Sequence, residues 1–131
     1  MEKKILIVDD EASIRDLFHD FFSDAGYAVS LATSAEEALG VLDREKIMVM
    51  LLDLKLFGMD GIQLCRQIRR TKHIPIIYAM TGWAGLFEIE ECREAGFDDF
   101  FIKPVKFEPM LGAVEEAFKK LDRWLNQPEG R

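Results

Sequence analysis

A chain of 131 residues, 49% of them apolar and with charges of both signs interspersed, makes one domain with a proper core; it is too short for two ordinary ones and neither disordered nor fibrous in composition. The formal net charge of -7 argues against a nucleic-acid or anionic-membrane surface, both of which need a basic patch. No apolar stretch approaches the ~20 residues that span a bilayer, and Met1-Glu2-Lys3-Lys4 leads straight into a strand without a signal-peptide core, so a cytoplasmic protein is expected.

The first apolar run, Ile5-Leu6-Ile7-Val8, has the length of a strand and ends in Asp9-Asp10-Glu11. Ile14, Leu17, Phe18, Phe21 and Ala25 then recur at helical spacing, the stripe of a helix laid on a sheet, and Gly26 ends it. Tyr27 to Ala32 reads as a second strand. Ser34 with Glu37 predicts a capping box, opening a helix with Ala38, Leu39 and Leu42 on its inner face.

The run Ile47-Met48-Val49-Met50-Leu51-Leu52 reads as a strand buried on both faces, the type that fills the middle of a parallel sheet, and Asp53 closes it. A loop from Lys55 to Met59 leads to Asp60 and Gln63, another helix start. Leu64, Cys65 and Ile68 are expected to face inward there, and Arg66, Arg69 and Arg70 to face water. Pro75 precedes a fourth strand, Ile76 to Met80, which ends in Thr81. Gly82 and Gly85 mark a flexible loop before a helix rich in acid: Glu88, Glu90, Glu91 and Glu94.

Gly96 caps that helix, Phe97 to Ile102 makes a fifth strand ending in Lys103, and Pro109 stands in the first turn of a last helix. On that helix Leu111, Val114, Phe118, Leu121 and Leu125 recur at spacings of 3, 4, 3 and 4; Trp124 could pack on the domain, on a second copy or on an output domain. No internal repeat or linker interrupts the pattern, so residues 1–125 are expected to form the domain and 126–131 a polar tail. Cys65 and Cys92, in no metal or redox spacing, are expected to be reduced structural thiols, and His19 and His73 have no partner at metal spacing.

Strand and helix alternate throughout, which predicts an α/β fold: an open, doubly wound parallel (βα)₅ sheet. Such sheets bind ligands at the carboxyl ends of their strands. Asp9 and Asp10, Asp53, Thr81 and Lys103 all stand at predicted strand ends, so acids, a hydroxyl and an ammonium are expected to converge on one edge.

Adjacent carboxylates at a strand end repel each other, and a divalent ion would satisfy them. Oxygen-only ligands with no His or Cys nearby favour Mg²⁺. An Asp can attack phosphorus and form an acyl phosphate if the charge on the transferred oxygens is neutralised. Metal on one side, Lys103 on the other and the Thr81 hydroxyl between them would supply that neutralisation, with backbone N–H groups of Leu54, just after Asp53, and of Gly82 completing a cradle.

These residues resemble the receiver domain of two-component response regulators, over nearly the whole chain from Lys4 to about Leu121. The motifs are Asp9-Asp10-Glu11, Asp53 with Asp60-Gly61 behind it, Thr81-Gly82, and Gly96-Phe97-Asp98-Asp99-Phe100 leading into Lys103-Pro104. The resemblance implies a flavodoxin-like strand order 2-1-3-4-5. Asp53 would accept a phosphoryl group from a phosphohistidine on a partner histidine kinase or phosphotransfer protein. Asp10, Asp53 and the Lys55 carbonyl would bind Mg²⁺ directly, with Asp9 reaching it through water. Thr81 and Lys103 would contact the phosphoryl oxygens, Phe100 would be the switch aromatic moving with Thr81, and the Lys103-Pro104 bond would be cis. The fourth helix, fifth strand and fifth helix would carry the readout to an output domain or effector, or form a homodimer face.

The chain departs from the family pattern in having Phe57 where a proline usually stands four residues after the acceptor, which leaves the loop carrying the Lys55 carbonyl less pinned. Lys55 and Trp83 would flank the approach of a hydrolytic water, and the bulk of Trp83 is expected to slow loss of the phosphoryl group. Other readings are a receiver-like interaction module that is not phosphorylated, and a Mg²⁺-dependent phosphohydrolase with an aspartyl-phosphate intermediate. Asp53-Leu54-Lys55 has lysine where such a hydrolase of the haloacid dehalogenase type has its second acid. A flavin binder is disfavoured because the first strand leads into acids that would repel a flavin phosphate.

Overall fold

The computed structural model describes residues 2–126, and the polar tail expected over 126–131 lies outside the described residues beyond Asn126. Five strands, β1 (Lys4–Val8), β2 (Ala28–Ala32), β3 (Val49–Asp53), β4 (Ile76–Thr81) and β5 (Asp99–Ile102), alternate with five helices, α1 (Ala12–Asp24), α2 (Ala35–Arg44), α3 (Gly61–Arg69), α4 (Leu86–Ala95) and α5 (Phe107–Leu125). The sheet runs β2-β1-β3-β4-β5 with every pair parallel, the expected order.

Registers of Ile7 with Leu51, Leu51 with Tyr78 and Tyr78 with Asp99 align the strands so that their carboxyl ends share one edge. Side chains alternate across the pleat. Leu6, Val8, Met50, Leu52, Ile77 and Ala79 face α2, α3 and α4, whereas Ile5, Ile7, Val49, Leu51, Ile76, Tyr78 and Met80 face α1 and α5. Every residue of β3 is buried, as befits a central strand covered on both faces. Each fully buried Leu, Ile or Phe contributes roughly 1.5–3 kcal/mol.

The helix starts follow the sequence closely. Asp60 and Gln63 exchange both hydrogen bonds of a capping box at 2.8 and 3.0 Å. At α2 the expected box is displaced by one residue: Ser34 Oγ accepts the Glu37 N–H, but the Glu37 carboxylate accepts the N–H of Thr33 rather than that of Ser34. Gly26 and Gly96, with φ of 97° and 107°, take the left-handed turn after α1 and α4.

Other expectations change as well. In α1 the buried residues are Phe18 and Phe22, while Leu17 is 54% exposed. Phe107 of α5 accounts for this by drawing the helix round: its ring stacks on Phe21 at 4.7 Å and meets Phe18 edge-on at 5.4 Å. β5 begins at Asp99, not Phe97: Asp98 still reaches β4, its N–H donating to the Ile77 carbonyl at 2.8 Å, but the Ile77 N–H is taken by the Asp98 carboxylate, also at 2.8 Å, instead of by a backbone carbonyl. Arg69 does not face water. Its guanidinium donates to the carbonyls of Gly96 (2.9 Å) and Pro75 (2.7 Å) and to Asp98 (3.1 Å), tying the end of α3 to the loops that lead into β4 and into β5.

Candidate functional site

The parallel register delivers Asp9 from the end of β1, Asp53 from the end of β3, Thr81 from the end of β4 and Lys103 from just beyond β5 to the same edge. Asp9 is fully buried and Asp53 is 4% exposed, so neither carboxylate is a solvated strand boundary. The Lys103 ammonium lies 3.1 Å from an oxygen of each. Asp10, exposed, brings a third carboxylate: one oxygen from each of Asp9, Asp10 and Asp53 lies within 4.8 Å of the others.

The remaining oxygens are held by backbone. Asp9 accepts the Glu11 N–H and Asp53 accepts the Lys55 N–H, each at 3.0 Å. Arg15 of α1 donates to the Asp9 carbonyl at 2.8 Å and so fixes the peptide behind the site. Gly61 packs against the Asp53 peptide, where an added Cβ would overlap the Asp53 carbonyl oxygen, and its N–H donates to the Leu54 carbonyl. The close approach of α3 to β3 therefore requires glycine there.

Burial pushes the Asp53 carboxyl above the usual carboxylate range; the Lys55 N–H and Lys103 oppose the shift and the Asp9 charge adds to it. For Lys103 burial acts to lower the ammonium, but the hydrogen bonds to Asp9 and Asp53 outweigh it and raise it above its ordinary value. Three carboxylates face one ammonium, a pocket short of positive charge. Its donors are all hard oxygens, with no His or Cys among them, which suits Mg²⁺.

Two expected contributors are engaged elsewhere. The Leu54 N–H is spent on the Met80 carbonyl of β4 at 2.9 Å, because Leu54 still follows the strand pairing; the N–H that faces the Asp53 carboxylate is that of Lys55. The Thr81 hydroxyl, in a residue only 6% exposed, donates to the Trp83 carbonyl at 2.6 Å and accepts the Trp83 N–H at 3.2 Å. Gly82 is exposed, with open space where a Cβ would stand. Phe100, half-buried, packs on the α2, α3 and α4 side of the core, and the Lys103-Pro104 bond is cis.

The sequence profile of the response regulator receiver domain matches residues 5–115 of this chain. The chain belongs to the response regulator receiver domain family. Sporulation initiation phosphotransferase F of Bacillus subtilis (strain 168) is 34% identical over 116 residues, covering 88% of this chain and 94% of that protein. Transcriptional regulatory protein ResD of the same organism is 41% identical over 103 residues, 79% of this chain and 42% of that protein. The receiver domain spans about half the length of several curated relatives, among them the probable transcriptional regulator ycf27 of Porphyridium aerugineum, at 32% identity over 122 residues, 93% of this chain and 50% of that protein. The crystal structure of a CheY-like receiver domain protein from Methanospirillum hungatei JF-1 superposes with a TM-score of 0.89 at 29% identity, covering 94% of this chain and 98% of that one.

Receiver domains are signalling phosphoacceptors of two-component systems, and in this chain Asp9, Asp10 and Asp53 form an acidic cluster at the sheet edge. Among the described residues no helix is long and apolar enough to cross a membrane. Sequence reasoning missed Arg15 and Glu88 as residues that fix this end of the fold, and Arg69 as one that fixes the opposite edge of the sheet. Arg15 and Arg69 lie beside apolar helix positions, a weak signal that their long stems lie along the core.

Proposed function

We propose that this receiver domain takes a phosphoryl group on Asp53 from the phosphohistidine of a histidine kinase or phosphotransfer protein. The observation that carries the reading is the Lys103 ammonium held 3.1 Å from both Asp9 and Asp53 beside the open carboxylate of Asp10. An Asp53 oxygen forms the new bond to phosphorus as the bond from phosphorus to the donor imidazole breaks. Lys103 then neutralises charge on the transferred oxygens, and the Lys55 and Gly82 N–H groups supply donors at the same edge.

Asp10, Asp53 and the Lys55 carbonyl would hold Mg²⁺, which when bound supplies the missing positive charge between the carboxylates and the phosphoryl oxygens. That nothing among the described residues bonds the Asp10 carboxylate supports its direct part; Asp9 and Asp53 each already accept two hydrogen bonds, from Glu11 and Lys103 and from Lys55 and Lys103 respectively.

In the signalling step Thr81 turns to the phosphoryl oxygens and Phe100 moves with it. A cavity of about 520 Å³ lined by Ile89, Cys92, Phe97 and Phe100 gives that ring room to change position. The change shifts a two-state equilibrium because charge-assisted bonds form in only one of the states. Leu86, Phe87 and Ile102, all more than half exposed on α4 and β5, would offer the altered face to an output domain, an effector protein or a second copy.

The test is to incubate the protein with Mg²⁺ and acetyl phosphate and measure its intact mass. A gain of one phosphoryl group, absent in Asp53→Asn and absent with chelator, is expected. A wild-type mass that does not change would favour the unphosphorylated interaction module, and multiple turnover on small phosphoesters would favour the phosphohydrolase.

A further inference from the structure

The β4–α4 loop carries an arrangement that the phosphoacceptor chemistry does not explain. One oxygen of Glu88, in the first turn of α4, accepts two hydrogen bonds from that loop: the Trp83 indole N–H at 2.8 Å and the Gly85 N–H at 3.1 Å. The space is made by glycine. A Cβ on Gly85 would stand 2.7 Å from that same oxygen and 3.1 Å from the indole nitrogen, so any side chain there would force carboxylate and ring apart. Trp83 is 67% exposed, so burial does not hold the ring in place. Its polar tip is fixed by Glu88.

The other end of the same residue holds Thr81. The Thr81 hydroxyl donates to the Trp83 carbonyl at 2.6 Å and takes the Trp83 N–H at 3.2 Å, closing a tight ring between strand end and loop. A hydroxyl committed in this way is not a donor to the Asp53 pocket. To become one it must leave the Trp83 carbonyl, and the loop must then rearrange to satisfy the peptide it abandons. Glu88 resists that rearrangement because it grips the loop at Trp83 and at Gly85 together.

We infer that Glu88 is a positioning residue for the Thr81 hydroxyl: by anchoring the Trp83 indole it makes the Trp83 backbone a catch that keeps the hydroxyl away from Asp53 until the catch opens. The inference rests on the reading of Asp53 as phosphoacceptor with Thr81 assisting. It assigns Glu88 a restraining part in the reaction, so its removal accelerates phosphoryl gain. The size of the effect is that of losing a partly exposed, charge-assisted hydrogen bond, on the order of three- to tenfold in rate.

The experiment follows phosphoryl gain from acetyl phosphate with Mg²⁺ by intact mass in wild type, Glu88→Ala, Trp83→Phe and the double variant. Trp83→Phe keeps an aromatic ring and removes only the N–H. Each single change is expected to raise the rate about three- to tenfold, and the double variant to go no faster than Glu88→Ala, which already removes both of the bonds that Glu88 makes to the loop. Glu88→Gln, which retains an uncharged oxygen acceptor, is expected to fall between Glu88→Ala and wild type. In a Thr81→Ala background, whether slow or inert, adding Glu88→Ala is expected to raise nothing, since the hydroxyl being restrained is gone; a merely structural Glu88 would not show that dependence. A wild type that gains phosphoryl while the single variants match it or lag overturns the catch alone, as do rates that multiply in the double variant. A wild type that gains none overturns the phosphoacceptor reading and the catch with it.

Discussion

The Arg69 guanidinium and the Asp98 carboxylate meet at 3.1 Å, and the same carboxylate oxygen accepts the Ile77 N–H of β4 at 2.8 Å. A helix end, a loop and a strand are thereby joined through one ion pair at the edge of the sheet opposite Asp53. Arg69→Ala is expected to cost about 2–4 kcal/mol of stability in urea unfolding, because it strands the Gly96 and Pro75 carbonyls as well as Asp98. Arg69→Lys should recover little of this, since a single ammonium cannot reproduce the planar fork.

Gly61→Ala is expected to lower the rate of phosphoryl gain at least about tenfold, or to destabilise the fold by about 1–3 kcal/mol, because the added methyl displaces the Asp53 peptide against which α3 is seated. Intact-mass kinetics with acetyl phosphate and thermal unfolding together separate the two effects. Gly112→Ala, on α5 with open space at its Cβ, is the matched control and should leave the reaction unchanged.

Tyr78 gives the fold an alkaline limit. Burial, with lesser contributions from the Asp98 and Asp99 charges, pushes its phenol from an ordinary 10.0 up to about 12, and its hydroxyl donates to the Ala113 carbonyl. The folded state thus binds this proton more tightly than the unfolded state. The group's contribution is whole below pH about 10 and is lost as pH rises from there toward about 12. Urea unfolding between those values should show a decline of about 2 kcal/mol that Tyr78→Phe removes.

Both cysteines are expected to be unreactive in the native protein. Burial pushes the Cys65 thiol up to about 12 and raises that of Cys92 as well, and both residues are buried. DTNB at pH 8 should count no thiol in the native state and both in denaturant; rapid native labelling would show that the packing of α3 on α4 opens readily.

Trp83→Ala is expected to shorten the lifetime of the phosphorylated protein, because the exposed indole beside the loop is the bulk a hydrolytic water must pass. Trp83→Phe, which keeps most of that bulk, should not shorten it. Decay of the phosphorylated mass after removal of the donor checks both variants.

The central strand was legible because an unbroken apolar run has few alternatives to a two-faced burial, and the edge at which the acids meet followed from parallel alternation alone. Local hydrogen bonding was less legible. Arg69 carries the signature of a solvated residue, and nothing near it in sequence announces that Asp98 lies opposite. Leu17 and Phe22 sit equally well on a helical stripe until Phe107, 85 residues beyond Phe22, decides which way α1 is turned. The Thr81 hydroxyl was expected in the pocket because residue type and position along the strand were visible; the peptide that holds it back depends on a loop conformation that no spacing encodes.

Lys103 arrives from the far side of β5, an edge strand that pairs only with β4, yet its amine joins carboxylates from the first and third strands. If Asp53 is the acceptor as proposed, reactivity would be a property of the chain folded through β5: a polypeptide with only β1 to β4 in place would own every acid of the cluster and lack the amine that pairs with two of them.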